Sequence, residues 1–300
     1  MESSTLSRSK LKRLVEAAGA VCWSGLFAVA GRLAASQTST WRARGGQRIL
    51  VVAPHPDDEV CGCAGAILRH REAGDEVTVV CVTDGSASRA LGLGPQEMAA
   101  RRRREAESAA ARLAVRLEWW GLPERTWDGA VLRRQLAEYL ASRRPDVIYA
   151  PSRIDFHPDH VRVATALAGV LAAARPDPGP VIRVYQIQVP LTPLLTNLIC
   201  PIASVEESAR AVLRVYQSQL GSLLRVERMK RYAGAWHRVP GPVEPFWDLS
   251  AAAYARLHRD VRAEASPFRG LRALPISDPV CYWKGRAERR RLRQAAQEPD

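Results

Sequence analysis

The chain has 300 residues, 47% of them hydrophobic and 25% charged; that suits one large globular domain or two small ones and excludes disorder over most of the length. A net charge of +13 raises nucleic acid and anionic lipid as partners. The excess is mostly arginine in an Ala/Arg-rich chain, gathered at Arg101–Arg104, at Arg8, Lys10, Lys12 and Arg13, and between Lys284 and Arg293; no helix-turn-helix or aromatic stacking platform accompanies it, so nucleic acid is disfavoured.

In chain order, the basic segment Arg8–Arg13 leads into a largely apolar run, Leu14–Ala30, that ends in Ala28-Val29-Ala30. Leu11, Leu14, Val15, Ala18, Cys22 and Leu26 recur at helical spacing, which predicts an amphipathic helix packed on the body or lying on a membrane surface. A signal or anchor is the alternative, although Glu16 interrupts the run and its length is short for a bilayer span. Residues 1–45 are therefore an N-terminal extension. Strands are predicted at Arg48–Ala53, Glu76–Thr83, Leu117–Gly121, Val147–Ala150 and Val181–Val189, with helices at Glu59–Ala73, Pro95–Ala114, Val131–Arg144 and Val161–Ala174 between them. The first two strands are continuous β-branched runs, the mark of strands covered on both faces. Repeated strand–helix alternation predicts an α/β fold: a three-layer αβα, Rossmann-like domain with a mostly parallel sheet over residues 46–225. Val205–Leu224 and Ala251–Ala265 are further predicted helices. Pro-rich connections at 238–246 and 267–279 mark residues 226–283 as an irregular portion completing the same domain, and residues 284–300 as a basic tail. Six cysteines (Cys22, Cys61, Cys63, Cys81, Cys200, Cys281) have neither disulfide-framework nor zinc-ribbon spacing. They read as small buried hydrophobes, and reduced thiols fit a cytoplasmic protein, with membrane association through the first helix or secretion as the alternatives.

Ligands of a parallel sheet gather beyond the carboxyl ends of its strands, here the loops after Ala53, Thr83, Gly121 and Ala150. The first reads Pro54-His55-Pro56-Asp57-Asp58-Glu59 and the fourth Asp155-Phe156-His157-Pro158-Asp159-His160. Two imidazoles and one carboxylate make a facial set for zinc, with positions left for water and substrate. Adjacent Asp57 and Asp58 point in different directions, so one can bind metal while the other stays free as a base. A bound metal lowers the pKa of its water toward about 7. Singly, each residue has a plainer reading: His55 as a core or capping histidine, Asp57 and Asp58 as a helix N-cap and first-turn charge, His157 and His160 as the start of a surface helix. Their joint occurrence at one sheet edge favours a metal site.

His55-Pro-Asp-Asp-Glu59 after a buried strand, with His157-Pro-Asp-His160 after a later one, resembles the PIG-L/LmbE-like N-deacetylase family over roughly residues 47–225. The resemblance implies that His55, Asp58 and His160 bind one Zn2+ (Fe2+ being admissible), that Asp57 is the general base, and that His157 donates to the developing oxyanion. Arg102-x-x-Glu105 resembles the family's R-x-x-E helix, whose arginine contacts substrate hydroxyls; Asp84-Gly85 resembles its loop beside the site, and Tyr216-x-Ser218-Gln219 its later Y-x-S-Q segment. Asp155 and Asp159 are candidates for orienting a ligand histidine. The activity implied is hydrolysis of an N-acetyl or other N-acyl group from an amino sugar of N-acetylglucosamine type, the acceptor being a small molecule or a lipid-linked sugar; an amidase on a related thiol or glycolipid conjugate would use the same site. A basic module contacting membrane or nucleic acid is the non-enzyme alternative. Arg101–Arg104 as a group reads as a solvated helix face, and the Trp119-Trp120 pair with Trp127 as core rather than substrate rim. Oligomeric state is not written in the sequence.

Overall fold

The β-branched runs become neighbouring interior strands of an eight-stranded sheet. The computed structural model describes residues 8–34, 38–175, 178–259, 268–271 and 280–297, with backbone alone at 8–17, 220–225 and 269. The elements are α1 (Arg8–Leu33), β1 (Ser39–Thr40), β2 (Arg48–Ala53), α2 (Asp58–Glu72), β3 (Glu76–Thr83), α3 (Pro95–Leu113), β4 (Arg116–Leu122), α4 (Gly129–Arg143), β5 (Val147–Ala150), α5 (Pro158–Ala174) and β6 (Val181–Val184). There follow α6 (Thr192–Leu195), β7 (Leu198–Pro201), α7 (Glu206–Leu213), α8 (Leu220–His237), β8 (Val243–Ser250), α9 (Ala251–Leu257), α10 (Val280–Trp283) and α11 (Arg286–Gln297).

The strand order is β1-β7-β8-β6-β5-β2-β3-β4. All pairings are parallel except those of β8, which runs antiparallel between β6 and β7. Successive strand residues face opposite sides, and both sides are covered. Leu50, Val52, Val80, Val82 and Ile148 join one core with Leu132 of α4, Leu167 of α5 and Tyr254 of α9. Ile49, Val51, Val77, Val79 and Val147 join another with Ile67 of α2, Ala109 of α3 and Val212 of α7. The three-layer expectation therefore holds, and full burial on both faces explains why the alternating polar pattern of a one-sided sheet is missing.

Several boundaries differ from expectation. The strand expected over Val181–Val189 ends at Val184. The single helix expected over 205–224 is two, α7 and α8, parted at residues 214–219. Residues 238–246, expected as a connection, contain the first half of β8, Val243 to Phe246; Pro245 stands opposite Ile199 in that strand. Of the helix expected at Ala251–Ala265, α9 covers Ala251–Leu257, and 260–265 lie outside the described residues, as do residues 1–7, 35–37, 267, 272–279 and 298–300 of the other expectations. The basic tail is an ordered helix whose Arg289 is buried and donates to the carbonyls of Pro190 and Lys284. Five cysteines are buried; Cys22 is exposed, against expectation.

Helix α1 packs on α8 through Phe27, which meets Tyr232, Trp236, Tyr282 and Trp283. Gly31 lies so near Trp236 that a Cβ would stand 1.9 Å from its carbonyl oxygen. Among the described residues no helix is long and apolar enough to cross a membrane. Helix α2 is broken at Cys63 (φ −150°, ψ 24°). Beyond the break the amides of Gly65 and Ala66 donate to the buried Glu244 carboxylate of β8 at 2.9 and 2.8 Å, and Lys230 balances its charge at 2.6 Å.

Candidate functional site

The loop after β2 is folded by its own polar groups. The His55 amide donates to Asp58 Oδ2 at 2.8 Å, and Thr83 of β3 pins the Pro54 carbonyl through its hydroxyl (2.8 Å) and amide (3.0 Å). Asp57 caps α2 with φ 119°, a left-handed conformation that costs a non-glycine residue about 1–3 kcal/mol. Surrounding groups over-determine it. Its amide donates to Glu59 Oε2 at 3.1 Å, and the hydroxyl of Tyr216 donates to Glu59 Oε1 at 2.5 Å.

Across the sheet edge, His157 caps α5 and His160 lies in its first turn. The predicted trio converges. His55 Nδ1 is 3.0 Å from His160 Nε2 and 3.3 Å from Asp58 Oδ2, and His160 Nε2 is 3.2 Å from Asp58 Oδ2. All three side chains are buried. Two ligands about 2.1 Å from a tetrahedral zinc stand about 3.4 Å apart, so these three atoms are spaced as one face of such a polyhedron. Asp58 is held well below the usual carboxylate range; burial opposes this, but His160 and His55 outweigh it. The surroundings of His160 raise its pKa well above the usual value, Asp58 and Asp155 overcoming the desolvation that lowers it. The pocket thus favours positive charge at the point where three lone-pair donors meet, and the donor set fits a divalent cation.

The far sides of both imidazoles are also held. Asp159 Oδ2 lies 3.4 Å from His55 Nε2, and Asp159 Oδ1 accepts from Trp127 Nε1 at 2.9 Å. Asp155 Oδ2 lies 3.0 Å from His160 Nδ1, off the axis of the ring N–H. Carboxylates in such positions fix the ring orientation of a ligand histidine. His157 differs: its Nδ1 accepts the Asp159 amide at 3.3 Å, which places the ring proton on Nε2, and its pKa is lowered to about 3 by burial and by the neighbouring His160 and His55. It is a neutral donor beside the trio.

Asp57 stands on the other side. Burial raises its pKa to about 7 despite the Arg102 guanidinium 3.0 Å from Oδ1. Arg102 also donates to the Pro56 carbonyl. Of the four consecutive arginines, Arg102 alone is buried, a correction to the solvated face expected for the group; Arg101 and Arg103 pair with Glu105 and Glu107 instead. Gly85 makes room for it, since a Cβ there (φ +67°) would lie 2.7 Å from the Arg102 chain. Asp84 is occupied in its own loop, Oδ1 accepting from the amides of Ser86 (3.0 Å) and Glu124 (3.1 Å). The Y-x-S-Q segment lies in the break between α7 and α8 and ties the site together: Tyr216 to Glu59, the Ser218 hydroxyl to Glu105 at 2.5 Å, and Gln219 to Ser88 at 2.7 Å. Trp127 is buried as expected, yet its indole N–H orients Asp159, and Trp119 and Trp120 are only half-buried.

Sequence reasoning missed Glu124, which is buried after β4 with Oε1 3.8 Å from His55 Nε2 and Oε2 accepting the Ala87 amide. With Asp159 it forms a second acidic group around His55. A lone glutamate in a loop carries no periodic signal. Arg102 did carry one: Met98, Arg102, Glu105, Ala109 and Leu113 share the buried stripe of α3.

Residues 50–171 match the family model described as PIG-L: GlcNAc-PI de-N-acetylase. The chain is 31% identical over 136 residues (42% of it) to a probable N-acetyl-alpha-D-glucosaminyl L-malate deacetylase 2 of Bacillus anthracis, covering 60% of that protein. It is 30% identical over 122 residues (38% of it) to the diacetylchitobiose deacetylase of Thermococcus kodakarensis, covering 45% of that protein. The chain thus spans about half the length of these curated relatives. The solved structure of the N,N'-diacetylchitobiose deacetylase of Pyrococcus horikoshii superposes with a TM-score of 0.61 at 25% identity, over 75% of this chain and 88% of the other.

Proposed function

We propose, from the match of residues 50–171 to the PIG-L family model, that this protein is a metal-dependent hydrolase that removes the N-acetyl group from an N-acetylglucosamine-type conjugate. The observation that carries the reading is the buried face of His55, Asp58 and His160, flanked by Asp57 on one side and His157 on the other. His55 Nδ1, Asp58 Oδ2 and His160 Nε2 would hold the cation, with Zn2+ the ion proposed from two imidazoles and a carboxylate. When bound, the ion supplies Lewis acidity toward the amide carbonyl and acidifies a water.

The chain's own residues do the rest. Asp57, poised near 7, accepts the proton of the attacking water at its carboxylate and returns it to the nitrogen of the leaving amine. Arg102 and the Glu59–Tyr216 pair hold that carboxylate and its strained backbone in place. His157 donates from Nε2 where negative charge grows on the former carbonyl oxygen. Asp155 and Asp159 keep the two ligand rings aimed. Amide and water go to carboxylate and amine with no further reactant. Arg102 and Asp84 are the proposed contacts for sugar hydroxyls, and a substrate in place would compete with Asp57 for Arg102.

Metal content and amine release on a panel of N-acetylglucosamine conjugates test this together. The expected result is one metal per chain and turnover in the wild-type protein, with Asp57→Ala retaining metal but not activity. A well-folded wild-type protein that takes up no divalent ion after reconstitution would overturn the reading.

A further inference from the structure

Helix α1 has two apolar faces, and the fold covers one of them. Phe27 is fully buried among the aromatics of α8 and α10, while Ala18, Val21, Cys22, Gly25, Leu26, Val29 and Leu33 are exposed along the opposite side. These positions recur every three or four residues, one continuous stripe of helix surface. No charged residue occurs between Ala17 and Gly31. Of the eight large apolar side chains exposed among the described residues, four (Val21, Leu26, Val29 and Leu33) lie on this one helix, and a fifth, Trp283, stacks on its Phe27. A helix apolar on both sides is ordinarily buried on both, and exposed apolar surface gathered in this way marks a docking face.

Charge names the occupant. The same helix begins with Arg8, Lys10, Lys12 and Arg13. Immediately after Trp283, which stacks on Phe27, come the exposed Lys284 and Arg286. Basic residues on both flanks of an uncharged apolar stripe are the two signals that hold a protein on anionic lipid, where apolar burial or charge alone gives weak binding. We propose that α1 docks this protein onto an anionic bilayer surface, its outer stripe entering the headgroup–acyl boundary and its basic ends contacting lipid phosphates.

The packing also sets the orientation. Phe27 lies against Tyr232 and Gly31 against Trp236, so α1 and α8 run in the same direction. The start of α8 adjoins Ser218 and Gln219, which hold the candidate site through Glu105 and Ser88. At 1.5 Å per residue, Lys10 lies about 26 Å before Phe27, whereas Leu220 lies only about 18 Å before Tyr232. The basic turns of α1 therefore reach past the start of α8 toward the catalytic edge of the sheet, and docking holds that edge beside the membrane. This inference stands on the surface of α1 and not on the activity proposed above.

Flotation of the full chain with phosphatidylcholine vesicles, with and without phosphatidylglycerol, tests it. The expected result is retention on the anionic vesicles only, weakened by added salt, and reduced at least about tenfold in Leu26→Glu/Val29→Glu. Val181→Glu, at an exposed apolar site elsewhere, should float as the wild type does, and the melting temperature and turnover of a soluble substrate should match the wild type in all variants. No retention, equal retention on neutral vesicles, or retention indifferent to Leu26→Glu/Val29→Glu would each overturn the proposal. So would light scattering that shows a dimer broken by those two substitutions, because the stripe would then be covered by a second copy.

Discussion

Both ends of the sheet bury histidine beside aspartate, and they do opposite things with it. At the amino end, His70 Nδ1 meets Asp75 Oδ2 at 2.5 Å and its Nε2 meets the Tyr149 hydroxyl at 2.9 Å, while Arg183 donates to that hydroxyl at 3.0 Å. Every polar atom is matched by a complementary one, and desolvation lowers the His70 pKa to about 4 despite Asp75. At the carboxyl end, His55, His160 and Asp58 turn three acceptor atoms toward one another. A saturated imidazole is architecture; imidazoles that converge without enough protons between them make a receptor for a cation. Burial and residue type are the same at the two ends, so partner count is the property that separates them.

Substitutions can break this contrast. His160→Ala should cause the largest change, loss of bound metal and about a 10⁴-fold fall in turnover, because a Lewis acid supplies several kcal/mol; metal analysis that finds full occupancy would remove His160 from the ligand set. Asp57→Asn should lower turnover about 10²–10⁴-fold with metal content unchanged, the scale of a lost general base. At the other end, His70→Ala should leave metal content untouched but lower unfolding free energy by about 2–4 kcal/mol, since Asp75 is left buried without its partner. A change in metal content there would mean that the two ends are coupled.

Asp155→Asn should weaken metal affinity about 10–100-fold without abolishing turnover at saturating metal, because it disturbs only the aim of His160. A separate effect is in pH. His70 and His258 are both neutral in the fold with pKa values lowered to about 4, chiefly by burial, and His258 accepts the Arg153 amide at Nε2. Unfolded, each binds a proton near 6.5. Stability from these two groups is therefore complete above pH 6.5 and is lost as pH falls toward 4, by about 1.4 kcal/mol per pH unit for each group. Denaturant titrations across that interval should lose about half of this slope when His258 is replaced by Gln, His70 supplying the rest.

The sequence and the structure agree most closely where the physical signal is local. Arg48–Ala53 and Glu76–Thr83 are strands with the expected bounds, because continuous β-branched runs leave few other conformations for a segment packed on both sides. The two motif loops were legible because the fold puts the ends of β2 and β5 side by side, and β2 indeed pairs with β5. Strand β8 was not legible. It contains Pro245, and its partners Leu198–Pro201 and Val181–Val184 lie far back in the chain, so what makes it a strand is long-range pairing and not its own pattern. The helix break at 214–219 was hidden for a similar reason, since Tyr216 and Ser218 leave the helical path to reach Glu59 and Glu105, more than a hundred residues earlier.

The break in α2 has a consequence in time. The segment bearing Asp57 and Asp58 belongs to a helix whose interior amides, at Gly65 and Ala66, are received by Glu244, 179 and 178 residues further on. At ribosomal speeds of about 5–20 residues per second, roughly 10–40 seconds of synthesis separate the two partners. The proposed catalytic loop therefore emerges long before the strand that receives the amides of its helix, and β8 can buttress the proposed metal-binding face only once it has been made. Truncation just before Val243 should yield a polypeptide that carries the entire family motif yet lacks the buttress that holds it in shape.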